Sequence, residues 1–345
     1  MEKTSKERND KPYFVSLIVR TRNEEEYIGG FLDSLVKQTY PKDKFEVLVI
    51  DGMSEDRTLD IVEGYKDRLD LRVFKNRKIR SPHALNIGIT KARGDFFMNL
   101  IAHSSLPRDY VEKTVKKFLE IEKKEPDLVC VGGALVGRYT TTFSKLVGLV
   151  YSTPFSGARS MVLWRKEKSL IPIGPNFGLF DKKIVTDVGN FDEDFFVGED
   201  RDLFIRLKQA GYRFFIDPEV KIFYYTRDSF KKFLRQTYNY GAGLGFITRK
   251  KRYFDFMWFV PPLFLFYEIL TALSIFLGSA FIFPLILIPL ILYLGIATFF
   301  STQLFFNTKS TLCVVLPIMY LIFHNILGIG ILSGLILMKK AYWLN

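Results

Sequence analysis

The sequence predicts an α/β domain built on a doubly wound sheet, followed by an all-α membrane region. Three observations carry that reading. Short apolar, β-branched runs alternate with helical stripes through residues 13–101, the pattern of strands joined by crossover helices. Charge then almost stops: from Met257 onward only Glu268, Lys309, Lys339 and Lys340 are charged. Within that tail, Trp258 to Gly278, Phe281 to Ser301 and Leu312 to Met338 are long apolar runs. Each matches the roughly 20 residues needed to cross a hydrocarbon core about 30 Å thick.

The elements follow in order. Residues 1–12 (MEKTSKERNDKP) are too polar for a signal peptide and predict a disordered arm. Tyr13 to Val19 is an apolar strand, followed by the polar Arg20-Thr21-Arg22-Asn23-Glu24. Ile28, Phe31, Leu32 and Leu35 have helical spacing. Phe45 to Ile50 is a second buried strand ending in Asp51-Gly52, and a helix through Leu59, Ile61 and Val62 follows. Leu71 to Phe74 makes a third strand, His83 to Ala92 a helix and Phe96 to Ile101 a fourth strand. In such a sheet ligands bind beyond the carboxyl ends of the strands. The segments RTRNE, DGMSED and IAHSS all fall there.

The second half is less periodic. Leu128 to Val136 is a strand, and 138–172 is expected as a long loop over the site. Phe195-Phe196-Val197-Gly198-Glu199-Asp200 precedes a helix over Asp202 to Ala210, and Phe214 to Ile216 is a short strand. The aromatic and basic stretch 229–256 has the pattern of a helix lying in the membrane interface. The domain organisation is therefore 13–228, 229–256 and 257–345.

The chain carries 49 Lys and Arg against 37 Asp and Glu, a net charge of +12. Arg249-Lys250-Lys251-Arg252 sits just before the first apolar run, where positive residues favour the cytoplasmic side and anionic headgroups. The membrane therefore accounts for the charge better than nucleic acid does, and the catalytic domain is expected to face the cytoplasm. Cys130 and Cys313 are far apart and suggest neither a disulfide framework nor a metal cluster.

Several residues are placed for chemistry. Asp51 ends a buried strand, where a carboxylate can accept from a base or from ribose hydroxyls; it fits a turn equally well. Glu199-Asp200 opens a helix, where acids favour the dipole but also suit a general base beside a substrate hydroxyl. Arg77, Lys78 and Arg80 form a basic loop able to neutralise a diphosphate.

Taken together, these motifs resemble family 2 glycosyltransferases of the GT-A fold. Val19-Arg20-Thr21-Arg22-Asn23-Glu24-Glu25 is similar to the family's opening segment, and Asp51-Gly52-x-Ser54-x-Asp56-x-Thr58 to its second strand. Ala84-x-Asn86-x-Gly88 through Gly94-Asp95 is similar to the helix leading to its metal-binding strand. Asn176-Phe177-Gly178 and Gly198-Glu199-Asp200 are similar to its acceptor-side segment and its base motif. The resemblance covers roughly 13–245 and keeps the motifs in order. It implies a GT-A, Rossmann-like mixed sheet. It also implies a nucleotide-diphosphate sugar donor, inversion at the sugar carbon and a divalent metal, Mn²⁺ or Mg²⁺. Carried over, Thr21, Glu24 and Asp51 hold the nucleoside, Arg80 the diphosphate, and Asp200 is the base beside Glu199. The membrane part points to the lipid-linked-sugar branch, with a polyprenyl-type lipid or lipid-linked glycan as acceptor.

This sequence departs from the pattern in three places. Arg20 stands where the family has Pro, a change expected to affect only the loop's shape. Gln236-Thr237-Tyr238-Asn239-Tyr240 replaces the Q-x-x-R-W motif of processive synthases, so single-sugar transfer is expected. The paired metal-binding acids are replaced by Ile101 and His103. His103 is therefore expected as a weak metal ligand, because imidazole suits later metals than Mg²⁺. A protein that binds a sugar nucleotide without turnover is the alternative. A transporter, suggested by Glu268 within the first apolar run, is a third reading.

Overall fold

The computed structural model describes residues 13–157, 168–171, 174–175, 177–276 and 283–337. The expected arm, part of the 138–172 segment, Asn176 and the turn after the first apolar run lie outside these residues. In chain order the elements are β1 (Val15–Thr21), α1 (Ile28–Val36), β2 (Phe45–Asp51), α2 (Thr58–Glu63), β3 (Leu71–Lys75), α3 (Ser81–Lys91), β4 (Phe96–Ile101) and β5 (Ser104–Ser105). Then come α4 (Tyr110–Glu122), β6 (Leu128–Arg138), α5 (Thr142–Tyr151), β7 (Ser169–Ile171), β8 (Leu179–Asp181), α6 (Lys182–Asp187), α7 (Glu199–Gln209) and β9 (Arg213–Tyr225). The chain ends in α8 (Phe230–Lys251), α9 (Phe256–Phe276), α10 (Phe283–Thr308) and α11 (Leu316–Leu337). Two compact units result. The first takes the chain up to Val136, the described residues up to Glu193, and Glu199–Tyr224; the second takes Gly137 onward, Asp194–Gly198, and the chain from Tyr225.

The first unit holds one mixed sheet in the order β3-β2-β1-β4-β8-β6-β9-β5, with β7 paired to β9. β3, β2, β1 and β4 are parallel, whereas β8 runs antiparallel to β4 and to β6. Every residue of β2 is buried, as a strand covered on both faces requires. Ile18, Leu48, Phe97, Phe180, Leu203 and Phe214 belong to one core cluster. Register brings Thr21 opposite Asp51 and Arg20 opposite Ile101. The carboxyl ends of β1, β2 and β4 thus present the expected motifs on one edge.

A buried carboxylate ties down the opposite edge. Glu46 accepts from Ser16 Oγ at 2.7 Å, Arg93 N–H at 2.7 Å, Arg93 Nε at 3.0 Å and Arg72 Nη2 at 2.5 Å. Burial opposes its charge, but these donors together hold the carboxyl below the usual range.

The second unit contains three helical stretches long and apolar enough to cross a membrane: Phe256–Ser274, Leu287–Thr308 and Thr311–Leu337. The helix α8 meets α11 backbone to backbone. A Cβ on Gly241 would lie 2.3 Å from Leu327 O, and one on Gly245 would lie 2.1 Å from Ile331 O. From the other side, Gly330 and Gly334 approach Tyr238 O and Ala242 O as closely. Small residues permit this contact, as in helix pairs within membranes.

Four of the departures from the sequence reading bear on the fold. Residues 142–151 form α5, not loop; Thr141 Oγ1 accepts from Ser144 N–H while Ser144 Oγ accepts from Thr141 N–H, a reciprocal cap. Helix α7 begins at Glu199, three residues earlier than expected. β9 is 13 residues long and continues past Pro218. The short strand β8 was not expected; it inserts between β4 and β6, antiparallel to both.

Candidate active site

The polar loops after β1 and β2 are laced together. Asn23 has φ 52° and accepts from Glu55 N–H at 2.9 Å; its own N–H donates to Ser54 Oγ. Glu24 N–H donates to Thr58 Oγ1 at 2.8 Å, and Glu25 N–H to Asp56. Asp51 is buried and accepts from Ser54 Oγ at 2.6 Å and Ser54 N–H at 3.1 Å. Opposite it, Thr21 Oγ1 is buried with no protein partner. An orphaned hydroxyl costs free energy unless a ligand satisfies it.

Arg20 is the residue that sequence reasoning undervalued. Its guanidinium donates to Ser81 Oγ and pairs with Glu199 Oε1 at 3.1 Å, and Ser81 Oγ also donates to Glu199. Far from changing only a loop, Arg20 joins the end of β1 to the starts of α3 and α7. The signal was present as an unexpected cation beside a motif that the family fills with Pro. Burial and the neighbouring Asp200 charge push the Glu199 carboxyl up, while Arg20 and Ser81 pull it back. Asp200 follows in the first turn of α7 and accepts from Arg201 N–H at 2.7 Å. Gly198, at φ 88°, takes the left-handed turn that aims the helix start.

Arg80 is the residue preceding α3, whose first turn carries Pro82. Asn76 Nδ2 donates to its carbonyl at 2.9 Å. Lys78 reaches Glu193 at 3.5 Å, and Glu193 also accepts from His83 Nε2 and Asn86. Asn86 clamps Phe191 in both directions, at 2.9 and 3.0 Å. The chain before α7 is thus fastened to α3.

His103 lies just past β4 with its ring against Tyr27 and Tyr224. Its Nδ1 donates to Glu24 Oε1 at 2.8 Å, since an ionised carboxylate only accepts. Glu24, expected at the nucleoside, therefore spends one oxygen on His103. This carboxylate–imidazole pair leaves Nε2 as the nitrogen able to ligate, the usual arrangement of a metal-binding His. Ile101 contributes hydrocarbon, and the described residues contain no group of three or more His, Cys, Asp or Glu able to hold a metal. The donor set fits a nitrogen-accepting ion completed by donor phosphates; it does not fit an all-protein Mg²⁺ cage.

The profile of glycosyl transferase family 2 matches residues 16–184, and that of glycosyl transferase family group 2 matches residues 102–326. A Methanococcus voltae protein, dolichyl N-acetyl-alpha-D-glucosaminyl phosphate 3-beta-D-2,3-diacetamido-2,3-dideoxy-beta-D-glucuronosyltransferase, is 33% identical over 94% of this chain and 97% of its own. This chain belongs to glycosyl transferase family 2. The transferase is also 26% identical to the probable glycosyltransferase YdaM of Bacillus subtilis, over 77% of this chain and 66% of that one. Among solved structures, it shares its fold with mannosyltransferase PcManGT from Pyrobaculum calidifontis, determined with GDP-Man and Mn²⁺. The TM-score is 0.59 at 20% identity, over 95% of this chain and 89% of that one. The sheet of the transferase is thus a GT-A sheet, followed by helices apolar enough to enter a membrane.

Proposed function

We propose that this glycosyltransferase moves one sugar, with inversion, from a nucleotide-diphosphate sugar to a lipid-linked acceptor, with Asp200 as general base. One observation carries the reading: the Arg20–Ser81–Glu199 link, which fastens the start of α7, and so Asp200, beside the carboxyl end of β1. The acceptor hydroxyl oxygen forms a bond to the anomeric carbon from the face opposite the leaving group. Asp200 takes the hydroxyl proton, the bond from carbon to diphosphate oxygen breaks, and its electron pair leaves with the nucleoside diphosphate. Thr21 and Asp51 bind the nucleoside, the unpaired Thr21 hydroxyl finding its partner there. Arg80, with Arg77 and Lys78, meets the diphosphate. Glu24 orients His103, which would hold a divalent ion such as Mn²⁺. When bound, that ion supplies positive charge to the departing diphosphate. GT-A relatives commonly use such an ion, and the mannosyltransferase structure contains Mn²⁺.

The acceptor class is supported by the Methanococcus relative, named for a sugar carried on dolichyl phosphate. The basic residues before the first apolar helix favour a catalytic unit on the cytoplasmic side. The absence of the Q-x-x-R-W sequence at Gln236–Tyr240 supports single-sugar transfer. The test is purified full-length protein with UDP- and GDP-sugars and a polyprenyl phosphate sugar acceptor. The configuration of the product is then read by NMR, and transfer with an inverted anomer is expected. Donor binding without transfer would support the second reading, a sugar-nucleotide binder, which Ile101 in a metal-ligand position favours.

A further inference from the structure

We propose that α11 does not cross the membrane but lies along its surface beside α8, leaving the α9–α10 hairpin as the part that enters the bilayer. Length and composition alone make Thr311–Leu337 the most apolar of the three candidate spans. Its packing tells against a crossing.

First, α11 runs parallel to α8 and in backbone contact with it. Phe233 stacks on Phe323 at one end, Gly241 and Gly245 meet Leu327 and Ile331, and Arg249 reaches Leu335 and Ile336 at the other. If α11 crossed, α8 would cross with it. Yet α8 has only the thirteen residues Gln236–Thr248 without charge between Arg235 and Arg249, against roughly 20 needed. Phe233 and Phe323 lie side by side, so Lys231, Lys232 and Arg235 run beside 321–325. Any 20-residue stretch between Thr311 and Leu337 includes those positions. Every possible crossing therefore carries cations into hydrocarbon.

Second, both halves of α11 are held by polar contacts. Thr153 and Tyr320 share a hydrogen bond of 2.8 Å, and His324 Nε2 donates to Phe155 O at 3.0 Å. At the other end Arg249 caps the Leu335 and Ile336 carbonyls at 2.8 and 2.7 Å. The next residue, Lys250, pairs with Asp194 at 2.9 Å, and Asp194 lies in the acidic stretch that precedes Glu199. The last turn of α11 thus stays with residues that belong in water or at headgroups.

Third, α11 has two apolar faces with different partners. Leu316, Tyr320, Phe323, Gly330, Ile331 and Gly334 are buried in the unit. Ile318, Ile329, Leu332 and Ile336 form an exposed stripe, which Val314 extends just before the helix. A stripe of that kind rests in the boundary between headgroups and acyl chains. By contrast α9 and α10 stack on each other through Phe264 and Tyr293, at 4.4 Å, and expose apolar residues such as Phe266, Phe276, Ile291 and Phe299. The occupant of the α11 stripe is therefore lipid at one leaflet, not the full thickness of a bilayer.

The test uses the full chain in phosphatidylcholine vesicles containing anionic phosphatidylglycerol, with Cys130 and Cys313 replaced by Ala. A fluorophore is placed singly at Val314→Cys or Ile336→Cys, both exposed. Depth is read by quenching from lipids spin-labelled near the headgroup or deep in the chain. Twenty-two helical residues span about 33 Å. A surface helix gives equal, shallow depths and quenching from the same leaflet for both probes. Opposite leaflets, or a deep site at one probe only, overturn the proposal. A second measurement guards against misfolding. Leu337→Cys should react with a membrane-impermeant maleimide from the same side as Phe254→Cys, exposed between α8 and α9, and reaction from the opposite side overturns the proposal independently.

Discussion

Replacing Arg20 by Met removes the guanidinium and keeps most of the apolar stem. In the structure the Arg20 side chain is 20% and the Glu199 side chain 11% exposed, and their contact is 3.1 Å. Removing one partner of a fully buried pair costs about 3–5 kcal/mol. Partial access to water and the surviving bond from Ser81 bring the expected loss to about 1.5–3 kcal/mol. The loss should depend on pH. Burial and Asp200 already raise the Glu199 carboxyl, and losing Arg20 raises it further. A raised carboxyl favours the folded state below its unfolded value and loses that advantage as pH rises through its folded value. The deficit of the variant should therefore be small below the ordinary glutamate range and grow as pH rises through the raised folded value. The assay is chemical unfolding of the full chain in detergent, followed by near-ultraviolet circular dichroism across that range. A deficit below about 0.5 kcal/mol at neutral pH, or one independent of pH, would refute the reasoning. A displaced Asp200 should also lower kcat more than it raises KM.

Three further outcomes are expected. Glu46→Gln should cost about 1.5–3 kcal/mol at neutral pH; because the native carboxyl sits below its usual range, wild type should lose that margin as pH falls through the folded value while the variant does not, a difference visible in acid unfolding curves. His103→Ala should lower the apparent affinity for Mn²⁺ with donor bound, measured by metal titration calorimetry, and should abolish the effect of a chelator on transfer; chelator sensitivity identical in both proteins rejects the ligand role. Gly245→Ala, whose new methyl would meet Ile331 O at 2.1 Å, should destabilise by about 1–3 kcal/mol, whereas Gly295→Ala, with open space around it, should be neutral or slightly stabilising in the same thermal unfolding series.

The first four strands were legible because each is an apolar run ended by a turn residue, and alternation with helices admits few arrangements. The positions of Asp51, Asp200 and His103, though not their roles, were legible because each sits where such a strand or turn delivers it. The rest depended on long-range contact. β8 is three residues long, too short to carry a pattern, and it is a strand because β4 and β6 flank it. Helix α5 contains Gly148 and begins at the last of three threonines, so its propensity is poor; its cap and buried face make it. Arg20 and Glu199 are 179 residues apart, and nothing local to either announces the other. The helix α8 showed its aromatic and basic residues plainly, but Gly241-Ala242-Gly243-Leu244-Gly245 gains its meaning only from the helix that presses against it. Likewise Arg249, which as sequence suggests a headgroup ligand, is spent on the last carbonyls of α11.

The central claim, that Asp200 deprotonates the acceptor of a bound nucleotide sugar, is tested most directly by Asp200→Asn. The amide keeps the size and the hydrogen bond from Arg201 N–H but cannot take a proton at neutral pH. Transfer to a polyprenyl phosphate sugar and donor binding are measured on the same preparation. The account predicts that turnover falls by about 10²–10⁴-fold while the Kd for the nucleotide sugar stays within about threefold of wild type, less than 1 kcal/mol. Turnover close to that of wild type, with the donor bound equally well, would contradict it.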